Sequence, residues 1–165
     1  MSKNKDLGFR LDKRIEGITR SMNRVTYEAM AMMVIRMDEV SPVGDIKLWK
    51  ADSAKKAIRE GYVGGQFRGN WQLGVNQIPQ GWFPGKIDPT GDATVVENLS
   101  RIPAMASRGY KFYLVNNTPY GRYLEDGSAV LHVAPHGFVL RAKREFNGIV
   151  RKIVAQIKSE GGRVK

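Results

Sequence analysis

The chain has 165 residues, of which 42% are hydrophobic, so it is long enough to bury a core and too apolar for a disordered protein. It contains no cysteine, which excludes disulfides and thiol chemistry, and no apolar stretch reaches the roughly 18 residues of a membrane span. Lys and Arg number 27 against 16 Asp and Glu, a net charge of +11 that favours a polyanionic partner. The length favours a single domain, residues 1–165. The N-terminus lacks the apolar run of a signal peptide, so we expect the protein to assemble in the cytosol.

The strongest helical pattern follows a short N-terminal arm, residues 1–9, and predicts one long helix over residues 10–40. Its apolar residues recur at alternating spacings of four and three: Leu11, Ile15, Ile18, Met22, Val25, Ala29 and Met32. Such a helix is longer than one sheet needs for its cover, so we expect part of it to project towards a neighbouring subunit. Ser41 and Pro42 end it, because the residue before proline is forced out of helical geometry.

The segment after Pro42 contains many glycines and one strand pattern. Val43–Glu60 is expected to be irregular or briefly helical, with Trp49 as a packing anchor. Gln66–Val75 alternates along its length and is predicted to be a strand with one face inward. The glycines match neither G-x-x-x-x-G-K-[ST] nor G-x-G-x-x-G, so the sequence does not predict a phosphate-binding loop.

A long loop rich in proline and glycine, QIPQGWFPGKIDPTGD, covers Gln77–Asp92. Its Trp82 and Phe83 are large apolar groups with no local residues to bury them. Either these aromatic rings fold back onto the core of their own subunit, or they are docking anchors for a partner ring. The sequence leaves both alternatives open.

A short helix is predicted after this loop, over Ala93–Ile102. Asp92 or Thr94 is expected to cap its N-terminus, and Pro103 ends it. The apolar face predicted for this helix comprises Val95, Val96, Leu99 and Ile102.

Between Tyr110 and Gly127 the sequence predicts a strand, a turn and a short helix. Tyr110–Val115 is rich in aromatic and β-branched residues, which favour strands. Pro119 suits the first turn of a helix over Pro119–Asp126, with Thr118 as its N-cap and Gly127 as its C-terminal stop. The residues expected to bury this helix against the sheet are Tyr120, Tyr123 and Leu124.

Phe138–Ser159 is predicted to be the last helix, followed by a flexible basic tail at residues 160–165. The expected buried stripe comprises Val139, Ala142, Phe146, Ile149, Ile153 and Ile157. Eight basic residues against two acidic ones lie between Arg141 and Lys165. We interpret most of them as a solvated helix face, with DNA contact as the less favoured alternative. Under that alternative the DNA-facing residues are Lys152, Lys158, Arg163 and Lys165.

Several segments in this order carry a family resemblance. They are SPVGD from Ser41, GYVGG and RGNWQ between Gly61 and Gln72, VNNTPYGRYLEDGS from Val115, and APHGFV from Ala134 followed by Phe146. Together they cover roughly residues 41–150, and they resemble the tail-completion (neck) proteins of tailed bacteriophages. In that family, Asn-Asn-x-Pro-Tyr ends a strand, Leu-Glu-x-Gly ends a short helix, and Ala-Pro-x-Gly opens the final helix.

The resemblance implies a structural virion protein without enzymatic activity or cofactor. It would form a homo-oligomeric ring, expected to be a hexamer, that joins the tail terminator or tail tube to the head-closure connector around the DNA channel. Ring contacts are expected from the helix Pro119–Asp126, the Ala134–Gly137 loop and the first half of the long helix, since a ring needs two different patches on each subunit. The individual fold and interface candidates are Asn116, Asn117, Pro119, Tyr120, Tyr123, Leu124, Glu125, Gly127, Pro135 and Gly137.

Catalytic groups are sparse in this sequence. His132 and His136 are an incomplete ligand set for a metal, with no cysteine to assist them. Glu125 and Asp126 are adjacent on a helix and do not face each other, so we expect a helix-end hydrogen bond and an intersubunit ion pair from them. The remaining acids would form a nuclease-like cluster only if the fold gathered them: Asp45, Asp88 and Asp92.

Two functions from other classes remain as alternatives. A basic nucleic-acid-binding module acting alone fits the charge but lacks a recognisable docking motif. A phage-encoded nuclease lacks a convincing constellation of acids and histidine. The expected fold is α+β: an antiparallel sheet of three or four strands, packed by the long N-terminal helix and the C-terminal helix, with short extra helices and a long loop.

Overall fold

The computed structural model describes residues 2–44, 51–61, 63–106, 109–129 and 133–161. Its elements, in chain order, are α1 (Ser2–Val40), α2 (Ala51–Arg59), α3 (Gln66–Gly69), β1 (Trp71–Val75), α4 (Asp92–Ser100), β2 (Phe112–Asn116), α5 (Gly121–Asp126) and α6 (Phe138–Ser159). The α+β fold class predicted from the sequence is confirmed: a small antiparallel sheet lies against the long first helix and the last helix. Trp49, expected as a packing anchor, lies outside the described residues.

Helix α1 has 39 residues and is therefore about 58 Å long. It begins at Ser2 rather than at residue 10, because residues 2–9 contain no proline that would stop it. The arm expected at residues 1–9 is thus helical from Ser2 onward. The predicted end is confirmed: the Ser41 hydroxyl donates to the Met37 carbonyl at 2.5 Å and accepts from the Trp71 indole N–H at 2.7 Å. These two bonds fix the end of α1 against β1.

The described sheet has two strands, fewer than the three or four expected. Strands β1 and β2 pair antiparallel, with Trp71 opposite Asn116. Gln66–Gly69, predicted as the start of a strand, forms a helical turn instead, because Gly65 enters it with a φ of 101° and the Asn70 amide donates to the Gln66 carbonyl at 2.8 Å. Phe67 still points inward from this turn and is 4% exposed. The alternating pattern therefore predicted the inward side chain correctly, but it predicted a strand where the backbone forms a helical turn.

The two edges of the sheet differ. Along β1, the Leu73 N–H donates to the Asn98 side-chain oxygen at 2.7 Å, and the Asn98 amide donates to the Trp71 carbonyl at 2.9 Å. A side chain of α4 thus closes that edge. Along β2, the backbone groups of Phe112 and Leu114 that face away from β1 have no hydrogen-bond partner among the described residues. Within the described ranges, no strand or side chain closes the β2 edge.

Three hydrophobic clusters form the core of the described part of the chain. The first joins α1, α3, β1 and α6 through Met37, Phe67, Trp71, Phe138 and Ala142. The second joins α1, β1 and the segment after α4 through Val34, Leu73, Ile102 and Ala106. The third joins α1 to α6 through Ala29, Ile153 and Ile157. Helix α6 runs antiparallel to α1, since Arg36 pairs with Glu145 at 2.6 Å and Arg24 pairs with Glu160.

Most of the apolar face predicted for helix α4 is confirmed: Ile102 is buried, and Val95 and Leu99 pack against the second cluster. The exception is Val96, and two polar residues are buried in addition. Val96 is 67% exposed, whereas Thr94 and Asn98 are each 1% exposed. Its N-cap is Gly91, with a φ of 86°, in place of Asp92 or Thr94. The Asp88 carboxylate accepts the backbone N–H of Gly91 and of Thr94, at 2.9 and 2.8 Å. A loop carboxylate therefore satisfies the helix end from outside the helix.

Helix α5 begins at Gly121, two residues later than predicted. Thr118 is not its N-cap; the Thr118 carbonyl accepts the Gly121 N–H at 3.0 Å, so Pro119 occupies a turn before the helix. Tyr123, predicted to be buried, is 46% exposed, because α5 presents Leu124 to the core. Helix α6 has the predicted bounds, but Phe138 replaces Val139 in its buried stripe: Phe138 is 2% exposed and Val139 is 45% exposed.

Candidate assembly surfaces

An apolar stripe lies exposed along the N-terminal half of α1. It consists of four residues at i, i+4, i+7 and i+11, which share one helix face: Leu11, Ile15, Ile18 and Met22. Leu11, Ile15 and Met22 are exposed, at 50%, 60% and 47%, whereas Ile18 is half-buried. We call these four residues the α1 stripe.

The α1 stripe continues the apolar face of α1 that α6 covers farther along the helix. Val25 and Ala29 lie seven residues after Ile18 and Met22, so they occupy the same face, and they pack against Ile153 of α6. The covered part of this face ends where Arg24 meets Glu160, just after the last turn of α6. Beyond that point no other helix or strand of the described chain covers the stripe.

A second apolar surface lies at the opposite end of the molecule. It is a groove of about 690 Å³ between the C-terminal half of α1, the edge of β2, and helices α5 and α6. Its apolar lining includes Met30, Met33, Met37, Phe112, Leu114, Val139 and Phe146, and charged side chains at its rim include Arg122, Asp126 and Lys143. We call it the β2 groove. Leu140, next to the lining residue Val139, is also 49% exposed.

Helix α5 holds the start of α6 beside this groove. The Glu125 carboxylate accepts the N–H groups of Val139 and Leu140 at 2.9 and 3.1 Å, which is the helix-end hydrogen bond predicted for it. The Glu125 backbone carbonyl also accepts the Gly137 N–H at 3.1 Å. A carboxylate at a helix N-terminus is stabilised by the unsatisfied N–H groups there. Asp126, its neighbour, contacts Arg122 of the same helix at 3.4 Å.

Gly127 connects α5 to the loop that leads into α6. Its φ of 78° and ψ of 172° belong to a backbone region that is essentially restricted to glycine. A Cβ atom at this position would lie 2.9 Å from the Pro135 ring. The helix stop predicted at Gly127 is confirmed. Gly137, the second candidate glycine of this loop, has a φ of 59° and open space around it.

The other candidates of the strand-and-turn motif hold the fold together. The amides of Asn116 and Asn117 donate to the carbonyls of Phe67 and Pro79, at 2.7 and 3.0 Å. The Tyr120 hydroxyl donates to the Gln66 side chain at 3.0 Å. These side chains tie β2 and the following turn to α3 and to the long loop, so their contacts lie within the subunit.

Side-chain amides from the core fix the backbone of the long loop. The buried Asn70 accepts the Phe83 N–H at 2.7 Å and donates to the Phe83 carbonyl at 3.0 Å. The Gln72 amide donates to the Gly81 carbonyl at 3.0 Å. Trp82 is partly buried, whereas the Phe83 ring is 53% exposed. The backbone thus fits a loop folded on its own subunit, and the Phe83 ring remains a candidate for docking.

The basic residues of α6 do not share one face. Lys152 lines a groove between α1 and α6 beside Tyr27. Lys158 belongs to an exposed row with seven-residue spacing, Arg144, Arg151 and Lys158, which no acidic side chain among the described residues pairs with. Glu145 and Glu160, the acids of this region, are held by Arg36 and Arg24 of α1. Arg163 and Lys165 lie outside the described residues.

A buried acid lies where α1 meets the loop before α4. Asp38 is 7% exposed, and its carboxylate lies 3.6 Å from the Arg68 guanidinium. Burial raises the pKa of Asp38 to about 6, although Arg68 opposes the rise. Asp88 is also buried, yet the hydrogen bonds from Thr94 and Gly91 outweigh its burial and lower its pKa.

No group of three His, Asp or Glu side chains placed to hold a metal occurs in the part of the chain that the structure describes. His136 is exposed and uses its backbone N–H to reach the Leu124 carbonyl at 2.9 Å. His132 and Asp45 fall on residues that the structure does not describe. None of the helices among the described residues is long and apolar enough to cross a membrane.

Comparison of the chain with protein-family models, with curated proteins and with solved structures found no match.

Proposed function

We propose that this protein is a structural subunit of the head–tail junction of a tailed bacteriophage, assembled in the host cytoplasm and carried in the virion. It forms a ring, expected to be a hexamer, that completes the tail and joins the tail terminator or tail tube to the head-closure connector. The ring surrounds the DNA channel and carries out no catalysis. The proposal starts from the segments at residues 41–150 that resemble tail-completion proteins.

The observation that carries the proposal is the pair of apolar surfaces at opposite ends of the subunit. A cyclic ring needs a heterologous interface, in which one patch meets a different patch on the next copy. The α1 stripe and the β2 groove are two such patches, and they differ in shape. Both involve segments expected to make ring contacts: the first half of the long helix for the stripe, and the helix Pro119–Asp126 for the groove.

Deletion of the gene from the phage that carries it tests this proposal. DNA-filled heads and complete tail tubes are expected to accumulate unjoined, and purified protein added to both is expected to restore joined particles in electron micrographs. Joined, infectious particles formed without the protein would overturn the proposed role. Val96→Glu, on an exposed residue away from both apolar surfaces, is expected to restore joining as well as the unmodified protein does.

A second candidate function is non-specific binding of double-stranded DNA, favoured by the row Arg144, Arg151 and Lys158. Replacing all three by Gln is expected to reduce the slope of log affinity against log salt concentration by about 3, since each phosphate contact contributes about 0.9. Arg122→Gln removes an exposed charge elsewhere and is the control; its side chain is 88% exposed. An unchanged slope in the triple variant assigns the row to solvent.

A further inference from the structure

We infer that the α1 stripe of one subunit docks into the β2 groove of the next copy of this chain. The inference names the contact within the proposed ring and rests on that proposal only for the closure of the ring. Three features of the subunit carry it: the shapes of the two surfaces, their positions, and the face of α1 that α6 already occupies.

The two surfaces complement each other in shape and chemistry. The stripe is a ridge of branched and flexible apolar side chains at i, i+4, i+7 and i+11, which is the pattern of an amphipathic helix that lies in a hydrophobic groove. The groove offers about 690 Å³ of space with a mainly apolar lining. Two of its partly buried lining residues, Met30 and Met33, are methionines, whose flexible side chains adapt to an incoming ridge.

A subunit cannot fill its own groove with its own stripe. Both surfaces include residues of the same continuous helix, and Ile15 precedes Met33 by 18 residues, or about 27 Å along the axis. Because α1 is one uninterrupted helix, this separation is fixed. The contact therefore has to form between two copies.

Contact between two parallel stripes is disfavoured. In a parallel pair, the partner helix would run along the face of α1 that α6 covers from Val25 onward. Any contact between two stripes would also leave the β2 groove empty. A stripe in a groove avoids the clash with α6 and covers both apolar surfaces.

Cross-linking tests this contact directly, because the chain contains no cysteine. Ile15→Cys places a thiol on the stripe and Val139→Cys places one on the groove, at side chains that are 60% and 45% exposed. Each purified variant alone is treated with a short bismaleimide, and then a mixture of both. A covalent dimer is expected in the mixture and not with either variant alone, and the double variant is expected to give a ladder of multimers.

Three results would overturn the inference. A dimer from Ile15→Cys alone means contact between stripes, a dimer from Val139→Cys alone means contact between grooves, and no dimer in the mixture means that the surfaces do not meet. Val96→Cys mixed with Ile15→Cys is the control for random collision, since Val96 is 67% exposed and lies on α4.

A charged substitution on the stripe separates this contact from the proposed function. Ile15→Glu is expected to weaken self-association about tenfold or more in sedimentation measurements, as for a central apolar anchor. Cross-linking that succeeds while heads and tails join without the protein retains the contact and refutes the role in the virion. Restored head–tail joining without any cross-linked dimer retains the role and refutes the contact.

Discussion

The two halves of α1 both carry apolar residues, and these lie in opposite environments. In the C-terminal half, Ala29, Val34 and Met37 are at most 5% exposed. In the N-terminal half, Leu11 and Ile15 are at least 50% exposed. The spacing predicts a helix with an apolar face in both halves, and it does not say whether the subunit itself covers that face. We call these the packed half and the projecting half.

Two contacts of buried polar side chains hold the packed half in place. Ser41, just beyond its end, joins the Met37 carbonyl to the Trp71 indole, and the Asp38 carboxylate lies against Arg68. Buried polar groups of this kind need partners at defined positions. The packed half is therefore specified by its neighbours as well as by its hydrophobicity, whereas Leu11, Ile15 and Met22 of the projecting half are exposed to solvent.

The largest expected effect compares two methionines of the same helix. Met37→Ala is expected to lower the free energy of unfolding by about 2–5 kcal/mol, because it leaves a cavity in the first core cluster. Met22→Ala, at a side chain that is 47% exposed, is expected to change it by about 0.5 kcal/mol or less. Urea denaturation of dilute protein measures both. Equal losses would mean that the projecting half is covered within the subunit.

A substitution at Gly127 tests how rigid the loop is between α5 and the start of α6. Gly127→Ala is expected to cost about 1–3 kcal/mol, because its backbone conformation is strained for any residue with a Cβ atom, and Pro135 lies in the way. Thermal denaturation measures the loss. Gly148→Ala is the control, because nothing lies within 4 Å of a Cβ atom there. A melting temperature unaffected by the change at Gly127 would show that the loop can adjust.

The buried Asp38 gives the packed half a pH dependence. Its pKa is raised from 3.8 to about 6, so the folded state binds this proton more tightly, and the free energy of unfolding falls as pH rises from about 4 to 6. The slope from one such group is at most about 1.4 kcal/mol per pH unit. The charged groups that face Asp38 are Arg68, Asp88, Asp92 and Glu39.

Asp38→Asn is expected to remove this component of the slope. Other carboxylates with lowered pKa values, such as Asp88, contribute the opposite slope at lower pH in both proteins. The difference between the two denaturation series therefore isolates Asp38. Identical slopes between pH 4 and 6 would show that Asp38 titrates as an ordinary exposed carboxyl.

The smallest expected effect concerns the projecting half. Gly17 lies in the interior of α1, and nothing is within 4 Å of a Cβ atom built there. Gly17→Ala is expected to stabilise this part of the helix by about 0.5–1 kcal/mol, through helix propensity alone. Slower amide hydrogen exchange around residue 17 measures it. Faster exchange would mean that the glycine is needed for close approach of another group.

The sequence predicts most accurately the elements whose signals are local. Helix α6 has the predicted bounds because its apolar residues repeat along 22 residues, and the end of α1 follows from Ser41 and Pro42. For helix α4, the apolar pattern misses the burial of Asn98 for a physical reason. Asn98 is buried because the edge of β1 needs a donor and an acceptor, and no periodicity of apolar residues reveals that need.

The candidate surfaces follow the same division. The α1 stripe is visible in the spacing, since its residues repeat at four and three. The β2 groove is not, because α1, β2, α5 and α6 each contribute a wall and only the tertiary fold brings them together. Exposure of Tyr123 was missed for a related reason: on a six-residue helix, spacing alone does not decide between Tyr123 and Leu124 as the inward side chain.

The closed edge of β1 also limits how the sheet can grow. A fibre of stacked strands needs a free edge on both sides of every subunit, because each chain must receive one neighbour and offer itself to another. Asn98 already occupies the backbone groups of Leu73 and Trp71 that a neighbouring strand would use. The sheet therefore has one edge that can pair with another strand. If two copies paired through their β2 strands, both of these edges would be used, and a third copy could not add through backbone pairing.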